Sequence, residues 1–243
     1  MEEAFLWGVA TSAFQIEGAV HEGGRGPSIW DDFCRTPGKI RNGDTADVAC
    51  DHYHRWAEDL DLVAWMGVDA YRLGLSWSRL QPSGTGPLNP VGVDFYRTLL
   101  AAYVERDIRP VVTLYHWDLP SPLEAAGGWP VRDTAYKFAE YSRLVAEALG
   151  DLTNDVVTLN EPWCSSFLGY YEGAHAPGRR DLGAAVRAAH HLNLAHGLSV
   201  RAMRDIVPDT SMGITNLVTD IVAATDCDAD AAAADRVDAS ANQ

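Results

Sequence analysis

The stretch Asp155-Val156-Val157-Thr158-Leu159-Asn160-Glu161-Pro162 passes from apolar and β-branched residues into an amide, a carboxylate and a proline. Residues 155–159 read as a buried strand, because side chains of this kind suit a pleated surface covered on both faces. Pro162 cannot donate to a ladder and stops it. Asn160 and Glu161 are thereby held at the C-terminal end of the strand. Four further segments read the same way: 5–10, 69–75, 110–115 and 211–216. Helical spacing fills the gaps. Trp56, Leu60 and Val63 share a face, and Asn89-Pro90 sets a capping residue before a first-turn proline, with Phe95, Leu99 and Tyr103 following. Asp133 is placed to cap a helix carrying Phe138, Tyr141 and Val145 that Gly150 ends, and Asp181 to cap a long helix through Met203.

Strand and helix in alternation give parallel strands with helical crossovers. An open doubly wound sheet and a (β/α) barrel both fit. The open sheet calls for a glycine-rich phosphate turn directly after a strand. Gly23-Gly24-Arg25-Gly26 is the one candidate, and it lies well past the first strand without the GxGxxG spacing. The barrel instead gathers polar residues at the C-terminal ends of its strands. Gln15 follows the first strand, Arg72 lies in the second, His116 follows the third, and Asn160 and Glu161 follow the fourth. The expected class is α/β, a TIM-type (β/α)8 barrel. The strand starts recur about every 50 residues, so eight units would take roughly 400 residues against the ~250 typical of the fold. About the first five β/α units are present. Residues 1–243 thus read as the N-terminal part of a single, incomplete barrel domain, with no separate second domain.

The 243 residues include 19 Lys and Arg against 34 Asp and Glu, a net charge of −15. Such a chain lacks the clustered positive charge that binds nucleic-acid backbones or anionic membranes. Nor does it hold an apolar run of about 18 residues to span a bilayer. Neither nucleic acid nor membrane is expected as a partner. Met1-Glu2-Glu3 runs straight into Phe5-Leu6-Trp7, without the basic start and apolar stretch of a secretory signal. Cys34, Cys50, Cys164 and Cys227 lie far apart with no CxxC, and read as reduced thiols of a cytoplasmic protein. His52-Tyr53-His54 and His190-His191 lack convincing metal-ligand spacing. Asp226, Asp228 and Asp230 begin like a calcium loop, but Ala231 stands where glycine is needed and Val237 where glutamate is. No metal is expected.

Tyr115-His116-Trp117-Asp118-Leu119-Pro120 repeats after the third strand what residues 158–163 do after the fourth. A sugar needs neutral hydrogen-bonding groups, such as the Asn160 amide, and aromatic faces for its C–H surface. The tryptophans suit that role, although most of the eight are expected in the core. On these residues the chain resembles the N-terminal half of glycoside hydrolase family 1, the β-glucosidase family. The matching pieces are Phe5-Leu6-Trp7-Gly8-Val9-Ala10-Thr11-Ser12-Ala13-Phe14-Gln15-Ile16-Glu17-Gly18, then Tyr71-Arg72, Ser76-Trp77-Ser78-Arg79, Tyr115-His116-Trp117-Asp118 and Thr158-Leu159-Asn160-Glu161-Pro162. The likeness runs from residue 5 to about residue 240.

The resemblance implies retaining hydrolysis of terminal β-D-glucosyl residues, with no metal or organic cofactor, because two carboxylates suffice. It makes Glu161 the acid/base, which protonates the leaving oxygen and then activates water. It makes Arg72 the arginine that keeps the nucleophile ionised. Gln15, His116, Trp117 and Asn160 match sugar-binding residues, and Trp163 and Leu168 match the lining of the aglycone entrance.

The departures concern the other half of the reaction. The family's nucleophile lies in a Thr-Glu-Asn-Gly motif, and this sequence holds none. Without that carboxylate, Arg72 is expected to be left unsatisfied in its strand. Gly213-Ile214-Thr215-Asn216-Leu217 is one residue shorter than the family's usual fifth strand, and a deletion within a strand turns side chains to the other face. Five strands also leave two open edges, which invite a complementing C-terminal half or self-association. Two copies bring ten strands rather than eight. The alternative reading is a non-catalytic half barrel that binds sugar or serves assembly.

Overall fold

A computed structural model describes residues 5–241 of the chain. Five parallel strands form one sheet: β1 (Gly8–Ala10), β2 (Ala70–Gly74), β3 (Arg109–Tyr115), β4 (Asp155–Asn160) and β5 (Ser211–Thr215). They lie side by side in the order of the sequence. A doubly wound sheet reverses its strand order at a switch point, so the sequential order excludes it and leaves the winding of a barrel. Among the described residues β1 and β5 each pair with one neighbour. The first strand is shorter than its apolar run suggests. Phe5, Leu6 and Trp7 precede the ladder and are exposed.

Helices carry every crossover. The segments α1 (Ala13–Ile16), α2 (Ile29–Arg35) and α3 (His52–Trp65) join β1 to β2, and α4 (Trp77–Leu80) and α5 (Pro90–Val104) join β2 to β3. Next, α6 (Ser121–Ala125) and α7 (Asp133–Leu149) lead to β4. A π-helical segment, Cys164–Glu172, and α8 (Leu182–Arg204) lead to β5, and α9 (Asp228–Ala241) follows it. Asn89 caps α5 by accepting from the Val91 N–H, with Pro90 as the first helical residue. Asp181 caps α8 by accepting from the Ala184 N–H. Asp133, in contrast, is the first residue of α7 rather than its cap, and pairs with Lys137 one turn on. No described helix is long and apolar enough to cross a membrane.

The core lies between the sheet and these helices. Val112 and Leu114 of β3 and Val156 of β4 meet Val145, Ala146 and Leu149 of α7 and Met203 of α8 along one seam. Ala184, Ala185, Ala188 and Ala195 of α8 are buried, so small side chains let α8 sit close to its neighbours. Ser142 of α7 bonds Ser199 of α8 at 2.9 Å in that interface. A cluster of rings closes the core near the strand ends: Trp77 stacks on Tyr141 with centroids 5.0 Å apart, and Trp129 Nε1 donates to the Tyr115 hydroxyl at 3.0 Å. Only Trp77 and Trp129 of the eight tryptophans are fully buried. Trp30, Trp56 and Trp117 pack against the core from partly buried positions, so five of the eight take part in it. Trp7 and Trp65 are exposed, and Trp30, Trp56, Trp117 and Trp163 are half-buried.

The ladder between β4 and β5 is irregular. Val157 pairs with Gly213 and Asn160 with Thr215, so β4 advances three residues while β5 advances two. The mismatch is absorbed as a bulge in β4 immediately before Glu161. The Glu161 N–H still reaches the Thr215 carbonyl at 2.8 Å.

Gly150, at the end of α7, has an ordinary right-handed backbone, so conformational freedom does not explain it. Space does: an added Cβ would lie 2.4 Å from the Ala146 carbonyl oxygen and 2.7 Å from Val207 Cγ1. Alanine normally stabilises a helix relative to glycine. Here Gly150→Ala is expected to cost about 1–3 kcal/mol by overpacking. Urea unfolding measures it, and a gain in stability would show that this contact relaxes without cost.

Candidate active site

The polar groups at the C-terminal strand ends converge on Asn160. Its Oδ1 accepts from Arg72 Nη2 at 2.6 Å. Its Nδ2 donates to His116 Nε2 at 3.1 Å and to Glu161 Oε2 at 3.1 Å. Its backbone carbonyl accepts from the Trp117 indole N–H at 2.9 Å. Residues from three neighbouring strands are thus tied to one amide. Both amide N–H donors are engaged, and Oδ1 keeps one lone pair beyond the bond from Arg72.

Arg72 projects from β2. Its Nε donates to Thr113 Oγ1 at 2.8 Å, so it finds two neutral oxygens where no carboxylate pairs with it. The expectation that it would be left unsatisfied is therefore corrected: Thr113 and Asn160 share it. Burial pulls its guanidinium below the usual range, and the Glu161 charge opposes that pull.

His116 and Trp117 follow β3, and Glu161 follows β4. Trp117 and Glu161 both have left-handed backbones, with φ of 77° and 46°. A non-glycine residue in that region is strained by about 1–3 kcal/mol, and such strain gathers at functional sites. The turn at Glu161 lifts its carboxylate out of the strand alternation, beside the bulge. Oε2 takes a second donor, the Cys164 thiol, at 3.7 Å. Asp118, the next carboxylate along, is fully buried, and burial pushes it up to about 8. Burial thus favours its neutral form.

A cleft of about 340 Å3 opens beside this network, with Gln15, His116 and Trp117 on one wall and Phe14, Trp30 and Ile40 among the rest. Gln15 is exposed on α1 and shares the cleft rather than the Asn160 bonds. Trp163 and Leu168 lie on the segment after Glu161 and do not line this cleft; Trp163 stacks on Phe167 at 5.9 Å. Of the eight residues picked out in the sequence, five therefore form one bonded cluster, one shares the cleft wall with two of them, and two flank the carboxylate along the chain.

Three further residues belong to the site. Thr113 is a polar residue within the apolar run 110–115, and that contrast was its available signal. Cys164 stands three residues beyond Glu161. His175 ties the site to the cleft wall: its ring lies 5.2 Å from that of Trp117 and 5.4 Å from that of Trp30. Nothing in the spacing of His175 pointed to it.

Sequentially wound strands with their polar groups at the C-terminal ends define part of a TIM-type (β/α) barrel. The family model for glycosyl hydrolase family 1 matches residues 1–243, and the chain belongs to that family. It is 49% identical to a β-glucosidase from Agrobacterium sp. over 232 residues, which is 96% of this chain and 50% of that protein. The structure of a family 1 β-glucosidase from Thermotoga maritima superposes with a TM-score of 0.97 at 45% identity, covering 100% of this chain and 55% of that one. The virulence factor SghA from Agrobacterium tumefaciens, in complex with its substrate analog salicin, superposes with a TM-score of 0.95 at 47% identity, covering 98% of this chain and 52% of that one. The chain spans about half the length of the curated relatives it matches, and its five strands form an incomplete barrel.

Burial, reinforced by the Arg72 charge, lowers the His116 imidazole to about 4, against about 6.5 for an unperturbed histidine. The unfolded chain therefore takes up this proton first. Stability is full above about pH 6.5 and is lost as pH falls toward 4. For His116→Gln, the loss of unfolding free energy between pH 6.5 and 4 is expected to be smaller by about 2–3 kcal/mol. Urea titrations at a series of pH values check this, and an unchanged slope contradicts the assignment.

Proposed function

We propose that this chain is the acid/base-bearing part of a retaining β-glycosidase that hydrolyses terminal β-D-glucosyl residues. Glu161 protonates the glycosidic oxygen while a second carboxylate, about 5–5.5 Å away, attacks the anomeric carbon. Glu161 then takes a proton from the water that releases the sugar. The second carboxylate and the remaining strands come from polypeptide outside this half of the barrel. Residues 1–243 form one barrel domain with it.

One observation carries this reading. A carboxylate, Glu161, and a cation with no carboxylate in an ion pair among the described residues, Arg72, are bound to the same amide. A partly buried cation of this kind favours the ionised form of a carboxylate brought beside it, which is what a glycosyl-accepting nucleophile requires. Gln15, His116, Trp117 and Asn160 offer the sugar its hydrogen bonds and an aromatic face, and Trp163 and Leu168 border the leaving group. The β-glucosidase names of the relatives and the salicin complex of SghA support a β-glucoside as substrate. The four unpaired cysteines fit a reducing, cytoplasmic setting.

In the complete barrel, Glu161→Gln is expected to cut kcat on glucosides with poor leaving groups by about 10²–10⁴. On dinitrophenyl glucoside, whose leaving group needs no proton, kcat/KM should change far less, while kcat still falls because water attack lacks its general base. Added azide should restore turnover and yield a β-glucosyl azide, because a small anion needs no general base to attack the glycosyl-enzyme. Equal losses on all substrates would contradict an acid/base role. Calorimetric binding of glucose without turnover in the unsubstituted barrel would favour a sugar-binding protein instead.

A further inference from the structure

Two donors meet on the same oxygen of the Glu161 carboxylate. Asn160 Nδ2 lies 3.1 Å from Oε2 and Cys164 Sγ lies 3.7 Å from it. Oε1 accepts from no group among the described residues. We propose that Cys164 is a positioning residue for Glu161. Its S–H anchors Oε2 together with Asn160, and leaves Oε1 as the oxygen that gives and takes the proton. This rests on the acid/base reading of Glu161.

The local backbone makes the contact. Glu161 adopts its left-handed turn and Pro162 follows it. The Cys164 N–H returns to the Glu161 carbonyl at 2.9 Å. Cys164 opens the π-helical segment, a wider turn that is rare and frequent at functional sites. The side chain three residues on is thereby set beneath the carboxylate, buried at 5% exposure. Burial, and then the Glu161 charge, push the thiol up to about 12. It stays protonated and can only donate.

A thiol suits this place because it is a weak donor. It restrains the carboxylate with little competition for the lone pairs of Oε2. During the reaction no bond to sulfur forms. The proton leaves Oε1 for the glycosidic oxygen as that oxygen departs with its electron pair, and later returns to Oε1 from water. The anchor on Oε2 persists throughout. The Cys164 contact accordingly belongs to the proton-transfer steps rather than to sugar binding.

The S–H stretch of cysteine falls in an infrared window free of other protein bands. It moves to lower frequency when the thiol donates. The difference spectrum between the 243-residue chain and Cys164→Val isolates the Cys164 band. We expect that band below those of Cys34 and Cys50, and expect it to move up in Glu161→Ala and when the unsubstituted chain is acidified. A band that lies with the other thiols, or that ignores both changes, overturns the proposal. In the complete barrel, Cys164→Val should lower kcat on poor leaving groups about three- to tenfold with KM unchanged, and Cys164→Ser should restore most of it. An unaltered kcat in Cys164→Val also overturns it. The infrared band reports the contact whether or not Glu161 transfers a proton. Turnover in Glu161→Gln reports the reading itself, and if that substitution is silent, the acid/base role fails and the positioning role falls with it.

Discussion

The side-chain amide of Asn160 is the point on which the site depends. It is short and planar, with donors and lone pairs in fixed directions, and three of its four hydrogen bonds are made: to Arg72, His116 and Glu161. An amide that accepts from a cation and donates to a carboxylate is polarised by both, so each bond strengthens the others. A fourth contact, from the Trp117 indole to the Asn160 carbonyl, ties the loop after β3 to the end of β4. An aliphatic residue here would leave the half-buried guanidinium with Thr113 alone and the carboxylate with only a thiol. The sheet can hold Asn160 this firmly because β4 is paired on both sides, with β3 and with β5.

The same strand end also lets Glu161 leave the sheet. The bulge between Val157 and Asn160 and the left-handed turn at Glu161 are adjacent departures from regular structure, and they fall where the carboxylate has to face the mouth. Local strain there is offset by a large core beneath, in which Trp77, Trp129, Tyr115, Phe138 and Tyr141 fill the space between the sheet and α7. Fold and site are coupled through this division. Regular strands and helices supply the burial, and the irregular positions at their ends supply the chemistry.

The strands could be read because each is a short apolar run followed by a change of chemistry. The mouth could be read because those changes bring Arg72, His116, Asn160 and Glu161 to the same end of successive strands. The sequential order of β1 to β5 then follows from the crossover helices. What could not be read depends on contacts between residues far apart. Arg72 keeps its hydrogen bonds through Thr113, 41 residues on, and Asn160, 88 residues on. The irregular pairing of β4 with β5 between Val157 and Asn160 likewise depends on two strands more than 50 residues apart. The π-helical turn that brings Cys164 under Glu161 has no hydrophobic period of its own, and His175 is defined only by the two tryptophan rings beside it. Asp133 resembles a cap in sequence, but the chain enters α7 one residue earlier with Arg132 already helical.

A double-mutant cycle between Arg72→Met and Asn160→Ala, read by urea unfolding of the 243-residue chain, tests the role of the Asn160 amide most directly. Residues joined in one hydrogen-bond network couple by about 0.5–3 kcal/mol. If Asn160 is the shared partner that satisfies Arg72, the two substitutions together should cost at least about 1 kcal/mol less than the sum of the singles, because removing either one already breaks the bond. Additive costs, within about 0.3 kcal/mol, would mean that Arg72 and Asn160 act independently and that no single amide organises the site.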